Sequence, residues 1–470
     1  MMQVNSSAFK EIAHKALHDD QLQEALGLLR TNFGDARATA VERLPEFGAL
    51  RNAGRDIRNH TLENLDHYLE AWEVKATEQG AIVHWARDGE EARRIILGLC
   101  RSVDAKLMAK SKTMISEEIA LNPFLEDEGI EVIETDLGEY ILQLADEPPS
   151  HVIGPAIHKT KEQVADLFRD SHAALDPARR LVEISDMVGE ARQVLRERYF
   201  EADVGLTGAN FLIAETGSSV IVTNEGNGDL SQGLAKMHIV LATIDKVIPT
   251  LNDLATVLRL LARSATGQEM AAYTTLSTGP RRTDAEGGPE SCHVVILDNG
   301  RTGWLGTPFQ EALRCVRCGA CMNHCPVYGA VGGHAYGWVY PGPIGAVLTP
   351  ALVGIERARH LPNASTFCGR CESVCPMRIP LPKLMREWRR QEFESKIQPL
   401  RQRFGLAFWR WLAQRPVLYR WATAIAVHGM RLLARDGRIR RLPLAGAWTS
   451  VRDMPAPARR SFQSQWKGRK

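Results

Sequence analysis

Seven of the nine cysteines fall within the 61 residues from Cys315 to Cys375. Cys315, Cys318, Cys321 and Cys325 are spaced C-x2-C-x2-C-x3-C and followed by Pro326, and Cys368, Cys371 and Cys375 repeat the C-x2-C-x3-C-P end of that run. Three closely spaced thiolates on one loop can hold three irons of a cubane, and in two-cluster ferredoxins the fourth cysteine of the run ligates the other cluster. The spacing therefore predicts one cluster on Cys315, Cys318, Cys321 and Cys375 and a second on Cys325, Cys368 and Cys371. Alignment of the two motifs puts Ser365 where the second lacks its first thiol. The second centre is thus either a three-iron cluster or a [4Fe-4S] cluster whose last iron takes Ser365, water or another group. A pair of zinc sites is the competing reading, although zinc does not require the third Cys and the Cys-Pro, twice. No C-x-x-C-H haem attachment sequence occurs.

The 470 residues point to roughly three structural units. With 44% hydrophobic and 24% charged residues the composition is that of a folded globular chain. A net charge of +2 hides an asymmetry: from Lys383 onward 21 Lys and Arg face 5 Asp and Glu, a net +16, leaving −14 before it. The first twenty residues mix charge and polarity where a signal peptide needs an apolar run. A cytoplasmic, thiol-preserving location is expected. Pro326 to Ile355 contains no Asp, Glu, Lys or Arg, but its four prolines and seven glycines argue against a spanning helix and for irregular backbone packed in protein.

The expected organisation is an N-terminal helical arm over 1–75, an α/β domain over 76–304, a cysteine domain over 305–385 and a basic Trp-rich region over 386–470. In the α/β part, AIVHWA, KLMAKSK and IEVIETD read as strands alternating with helices over DGEEARRIILGLCRSV and SEEIALNPFLEDEG, the pattern of a parallel, doubly wound sheet. Six of the ten tryptophans, Trp388, Trp409, Trp411, Trp421, Trp448 and Trp466, lie in the basic region among arginines. That mixture suits the membrane interface or an acidic partner. Nucleic acid is disfavoured because no recognition motif accompanies the charge.

Other candidates carry weaker signals. Glu215, Thr216, Gly217, Asn224, Glu225 and Gly226 stand at apparent strand ends, where open α/β sheets bind ligands, although tight turns explain them as well. Lys110, Lys112 and Ser116 could hold a carboxylate or phosphate at a helix start, the alternative being a solvated charged face. Cys100 and Cys292 read as small buried hydrophobes. His84, His293, His324 and His334 share no ligand spacing, though His324 adjoins Cys325.

With KSKTMISEEI, ETDLGEYILQLADEPPSHVIGPAIHK, GANFLIAETGSSVIVTNEGNGDL, the STGPRR to DNGR block and both cysteine motifs, residues 70 to 385 resemble the iron-sulfur B components of bacterial lactate-utilisation systems. The resemblance implies a lactate-utilisation (LUD) domain, related in fold to sugar-phosphate isomerases and CoA transferases. It also implies an α-helical ferredoxin module like that of the succinate dehydrogenase iron-sulfur subunit, with two [4Fe-4S] clusters on seven cysteines. The role implied is electron transfer in the oxidation of L-lactate to pyruvate, with a cysteine-rich A component and a LUD-domain C component as partners; the basic region lies outside the resemblance, and its Trp and Arg content alone suggests peripheral contact at the inner membrane face. The other class considered is an iron-sulfur redox sensor. Direct dehydrogenation by the α/β domain lacks a flavin or nicotinamide fingerprint.

Overall fold

The computed structural model describes residues 4–442, 449 and 452–467, and divides into two compact units, 1–392 and 393–470. Ten strands lie in the first: β1 (Ile82–Ala86), β2 (Leu107–Lys110), β3 (Glu131–Glu134), β4 (Val204–Gly208), β5 (Phe211–Ile213), β6 (Ser218–Thr223), β7 (Met237–Thr243), β8 (Val247–Ile248), β9 (Tyr273–Ser277) and β10 (Ser291–Leu297).

The main sheet has six strands in the order β1-β10-β7-β4-β2-β3, every pair parallel. Successive side chains of a strand point to opposite faces, so a sheet covered on both sides needs uninterrupted apolar strands. Ile239, Leu241, Val295 and Leu297 accordingly meet Ile96 and Cys100 of the helix Gly89–Ser102. Val240, Ala242, Val294 and Ile296 meet Leu65, Leu69 and Trp72 of the helix Leu65–Glu78 on the other face. The expected mixed α/β architecture with a parallel sheet is present.

One reading of this region is corrected. The helix expected over SEEIALNPFLEDEG is two, Met114–Glu118 and Leu121–Asp127, separated by Ala120 at φ +51. Pro123 has no N–H to give the carbonyl of Ile119, and its ring collides there, so the first helix stops. The run GANFLIAETGSSVIV forms two buried strands joined by a tight turn, the β5–β6 hairpin of a second sheet ordered β8-β5-β6-β9. Its turn requires Gly217, at φ +71, because a Cβ there would fall 2.3 Å from the backbone nitrogen of Ala76.

The N-terminal residues are helical, but they do not stand apart as an arm. Leu26, Leu29, Leu44, Phe47 and Leu62 share one core with the helix Leu251–Ala265 and the cysteine segment. Most of Pro326–Ile355 is buried, yet it is less irregular than expected, since Gly342–Val353 is an α-helix. Pro343 sits in its first turn, where the missing N–H costs nothing. Trp388 belongs to this core, stacked on Phe309 at 4.1 Å between centroids, and so is not part of the exposed aromatic set.

One carboxylate joins three parts of the first unit. Glu118, fully buried, receives Arg301 Nη1 and Nη2 at 2.9 and 2.7 Å, Asn299 Nδ2 at 2.6 Å and the Tyr340 hydroxyl at 2.6 Å. Burial alone would raise its pKa, but Arg301, Tyr340 and Asn299 outweigh that and hold it below the usual value. Removing one partner strands the other charge in the interior, at a cost of about 3–5 kcal/mol. Glu118→Ala should therefore lower the urea midpoint of unfolding sharply, whereas Glu11→Ala, on the exposed Lys15 pair, should leave it unchanged.

Candidate iron-sulfur site

Both cysteine motifs use the same local device. A glycine at positive φ, Gly319 at +70 and Gly369 at +78, turns the loop into a short helix, Ala320–Asn323 or Arg370–Val374. Backbone N–H groups then face the sulfurs: Arg317 N donates to Cys315 Sγ and Ile379 N to Cys375 Sγ, each at 3.4 Å.

The seven thiols sort into two cavities, and each cavity draws on both motifs. Cys315, Cys318, Cys321 and Cys375 line one, walled by Val316, Met322 and Met377. Cys325, Cys368 and Cys371 line the other together with Ser365 and Thr366. Pro343 lines the second cavity and the next residue, Ile344, the first; Pro382 and Leu381 are divided in the same way. The two cavities are thus neighbours across single turns of helix. Ser365 Oγ accepts the N–H of Phe367 at 3.1 Å.

Thiolates on one zinc, each about 2.3 Å from the metal, stand about 3.8 Å apart. Among the described residues no three cysteine sulfurs lie within 4.8 Å of one another. The donor set, seven thiols in two largely apolar cavities with N–H groups aimed at sulfur, fits polynuclear iron-sulfur centres better than single zinc ions. Burial raises the pKa of most of these thiols, to about 12 at Cys371 and about 11 at Cys375. Exposed Cys368 runs the other way, lowered by the backbone N–H of Arg370 and by Thr366.

The N-terminal helices hold the second motif in place. Arg51 Nε and Nη2 donate to the Cys375 carbonyl at 2.9 and 2.7 Å, and Arg37 Nη2 to the Val374 carbonyl at 3.0 Å. Arg58, 2% exposed, spans the Val247 carbonyl at 2.7 Å and the Leu313 carbonyl at 3.0 Å just before Cys315. Arg317, between the first two cysteines, lies 5.0 Å over the Tyr340 ring.

The weaker candidates divide. Lys110 cannot serve an external anion: it is fully buried and already bonded to Ser116, Glu117 and Glu134 at 2.8, 2.8 and 2.6 Å. Lys112, Asn224 and Glu225 line a further cavity, whereas Glu215 accepts the N–H of Leu251 at a helix start and Thr216 bonds Ser218. Gly226 caps the helix Asn227–Leu234. Cys100 and Cys292 are buried, their pKa values pushed up by burial to about 12 and about 11. His84 and His293 do meet, Nε2 to Nδ1 at 3.0 Å across β1 and β10, and His334 converges with His158 and Glu147. His324 Nδ1 faces the Ala320 carbonyl at 2.9 Å.

Sequence reasoning passed over His151, Lys246, Arg317 and Tyr340. The only signals were an Arg inside C-x2-C and a Lys closing an apolar strand. His151 is 1% exposed, its Nδ1 receives the N–H groups of Ile153 and Gly154 at 3.1 Å each, and Nε2 faces Asn323 Oδ1 at 2.8 Å in the first motif. That arrangement fixes a neutral ring, and burial lowers its pKa to about 4. A folded pKa below the unfolded value of about 6.5 means stability that is full above pH 6.5 and lost as the pH falls toward 4, up to about 3 kcal/mol. In His151→Gln the slope of unfolding free energy against pH should flatten in that window, as measured by urea titrations.

Residues 69–297 match the LUD domain, 311–379 a 4Fe-4S dicluster domain and 377–470 the C-terminal domain of lactate utilisation protein B. The last match extends the family into the basic region, beyond the stretch that the sequence motifs reached. Lactate utilization protein B of Shouchella clausii is 41% identical over all of this chain and 98% of its own length, and that of Bacillus velezensis 40% over the same shares. A crystal structure of a DUF162 family protein from Deinococcus radiodurans aligns with 50% of this chain and 98% of its own at 14% identity and a TM-score of 0.29, too low to bear on the fold. With two conserved-length relatives of this identity and three family matches tiling it from residue 69, the chain belongs to the lactate utilisation protein B family.

Proposed function

We propose that this chain is the iron-sulfur electron-transfer subunit of an L-lactate oxidising complex, with a cysteine-rich A component and a LUD-domain C component as its partners. The observation that carries the reading is the sorting of the thiols. Cys375 of the second motif joins Cys315, Cys318 and Cys321, and Cys325 of the first joins Cys368 and Cys371, in two adjacent cavities. In this reading those residues hold two [4Fe-4S] clusters, the second having three thiols and Ser365 beside it. Bound clusters supply one-electron storage at potentials that hydrogen bonds to sulfur and solvent exposure tune. The chain's contribution is to exclude water with Met322, Ile344 and Met377, to aim N–H groups at the sulfurs, and to anchor the second motif to the N-terminal helices through Arg37 and Arg51.

Exposed Cys368 and the three-thiol cavity also favour a second reading, a redox sensor that signals by losing its more accessible cluster. Reversible reduction by lactate and the partner components, with both clusters retained, supports the first reading and contradicts the second. Cys375→Ser should alter the electron paramagnetic resonance signal of the cluster on Cys315, Cys318 and Cys321 and leave that on Cys325, Cys368 and Cys371 intact. The opposite pattern would mean that each motif keeps its own cluster.

Among the described residues no helix is long and apolar enough to cross a membrane. In the second unit the helices Leu400–Ala413 and Pro416–Leu432 bury none of their residues, and Phe404, Trp409, Trp421 and Ile425 are 60–79% exposed among arginines. Trp448 lies outside the described residues. We propose that this unit docks on anionic membrane, with arginine attracted to headgroups and aromatic rings entering the interface. Replacing Phe404, Trp409 and Trp421 with Ser should reduce co-sedimentation of the full chain with vesicles containing anionic lipid by about tenfold or more.

A further inference from the structure

A cavity of about 260 Å³ lies outside the carboxyl ends of β2 and β4. These two strands are neighbours in the sheet, but the chain leaves β2 for the edge strand β3 before returning as β4. Such a reversal opens a crevice, and crevices of this kind are where open α/β sheets take ligands. Thr113 follows β2, Asn210 follows β4, and the opposite wall is the first cysteine loop, with Arg317 and Cys318.

The polar groups of this cavity do not balance internally. Lys246, which lines it and is 7% exposed, has no hydrogen bond and no ion pair within 4.0 Å for its ammonium group among the described residues. Its neighbour Asp245 gives Oδ1 to the Thr243 hydroxyl at 2.6 Å and to Arg301 at 3.3 Å, while its Oδ2 is buried without a hydrogen bond and makes no ion pair with Lys246 within 4.0 Å. Thr113 Oγ1 is buried without a partner, as are Nε and Nη1 of Arg317. Lys112 is matched by Asp136 at 3.2 Å, and Glu225 accepts the N–H of Leu137 at 3.2 Å. A cation in the interior is costly unless paired. Arg317 adjoins Cys315 and would offset negative charge on a cluster there, which leaves the Lys246 ammonium, near Asp245 but not bonded to it, free to take an anion from the cavity.

We propose that this cavity binds a small carboxylate of the size of a 2-hydroxy or 2-oxo acid, paired by Lys246 and held by Thr113, against the loop that carries Arg317 and Cys318. The choice of acid rests on the lactate reading above; the anion site itself rests on the cavity and its unpaired groups. The site lies at the junction of the two halves of the unit, so that an occupant touches both the sheet and the cysteine motif.

The test is equilibrium dialysis of the full chain, purified anaerobically with its clusters, against radiolabelled L-lactate, pyruvate and inorganic phosphate, with electron paramagnetic resonance on the same samples. The expected result is saturable binding of one of the two acids at one per chain, not displaced by phosphate, and weakened about tenfold or more by Lys246→Met and by Thr113→Val. Cluster signals should persist in both variants. Absence of saturable acid binding while both clusters are present overturns the inference and leaves the electron-transfer reading standing. Undiminished binding in Lys246→Met and Thr113→Val overturns the assignment to this cavity, and phosphate binding tighter than either acid overturns the carboxylate class. Missing cluster signals in the unaltered chain defeat the electron-transfer reading, whatever the dialysis shows.

Discussion

The buried carboxylate of Glu118 constrains most of what surrounds it. A fully desolvated anion persists only if its oxygens are filled, and here two guanidinium nitrogens, an amide and a phenol fill them. Those partners come from distant places: Arg301 and Asn299 follow the last strand of the main sheet, and Tyr340 belongs to the segment between the cysteine motifs. Tyr340 then carries Arg317 on its ring, and Arg317 stands between Cys315 and Cys318. The carboxylate and the groups that it must bind thus tie the first cysteine loop to the sheet, together with Arg58 and His151, which hold the same loop.

The same constraint explains why the chain forms one compact unit up to residue 392, although it matches two separate family descriptions over that stretch. The helices before the LUD domain supply arginines whose natural acceptors are carbonyls of the cysteine loops, and their apolar stripes complete the core beneath those loops. A ferredoxin-like segment of this length has little core of its own. Here it borrows one from the N-terminal helices and from the helix that follows β8.

What was legible in the sequence had a period or a spacing. The inner strands β7 and β10 were readable because apolar residues dominate each, as a sheet covered on both faces demands, and the cysteine spacing with its Cys-Pro ends was the basis for expecting a ligand exchange. Local rules failed where tertiary partners decide. The break at Ala120 depends on Pro123 three residues later. Lys110 and Lys112 look alike in KSK, yet one is enclosed by Glu117 and Glu134 while the other lines a cavity. Nothing local distinguishes Lys246 from any lysine at a strand end, since its missing partner is defined only by what folds around it.

The central claim is that seven cysteines hold two iron-sulfur clusters by exchanging one ligand between motifs. Mössbauer spectroscopy on anaerobically prepared ⁵⁷Fe-enriched protein, with iron and acid-labile sulfide counted on the same sample, tests it most directly. The account predicts about eight irons and eight sulfides per chain in two cubanes, with one iron of the second set apart spectroscopically by its non-thiolate ligand. Zinc without sulfide, or iron for a single cluster only, would contradict it.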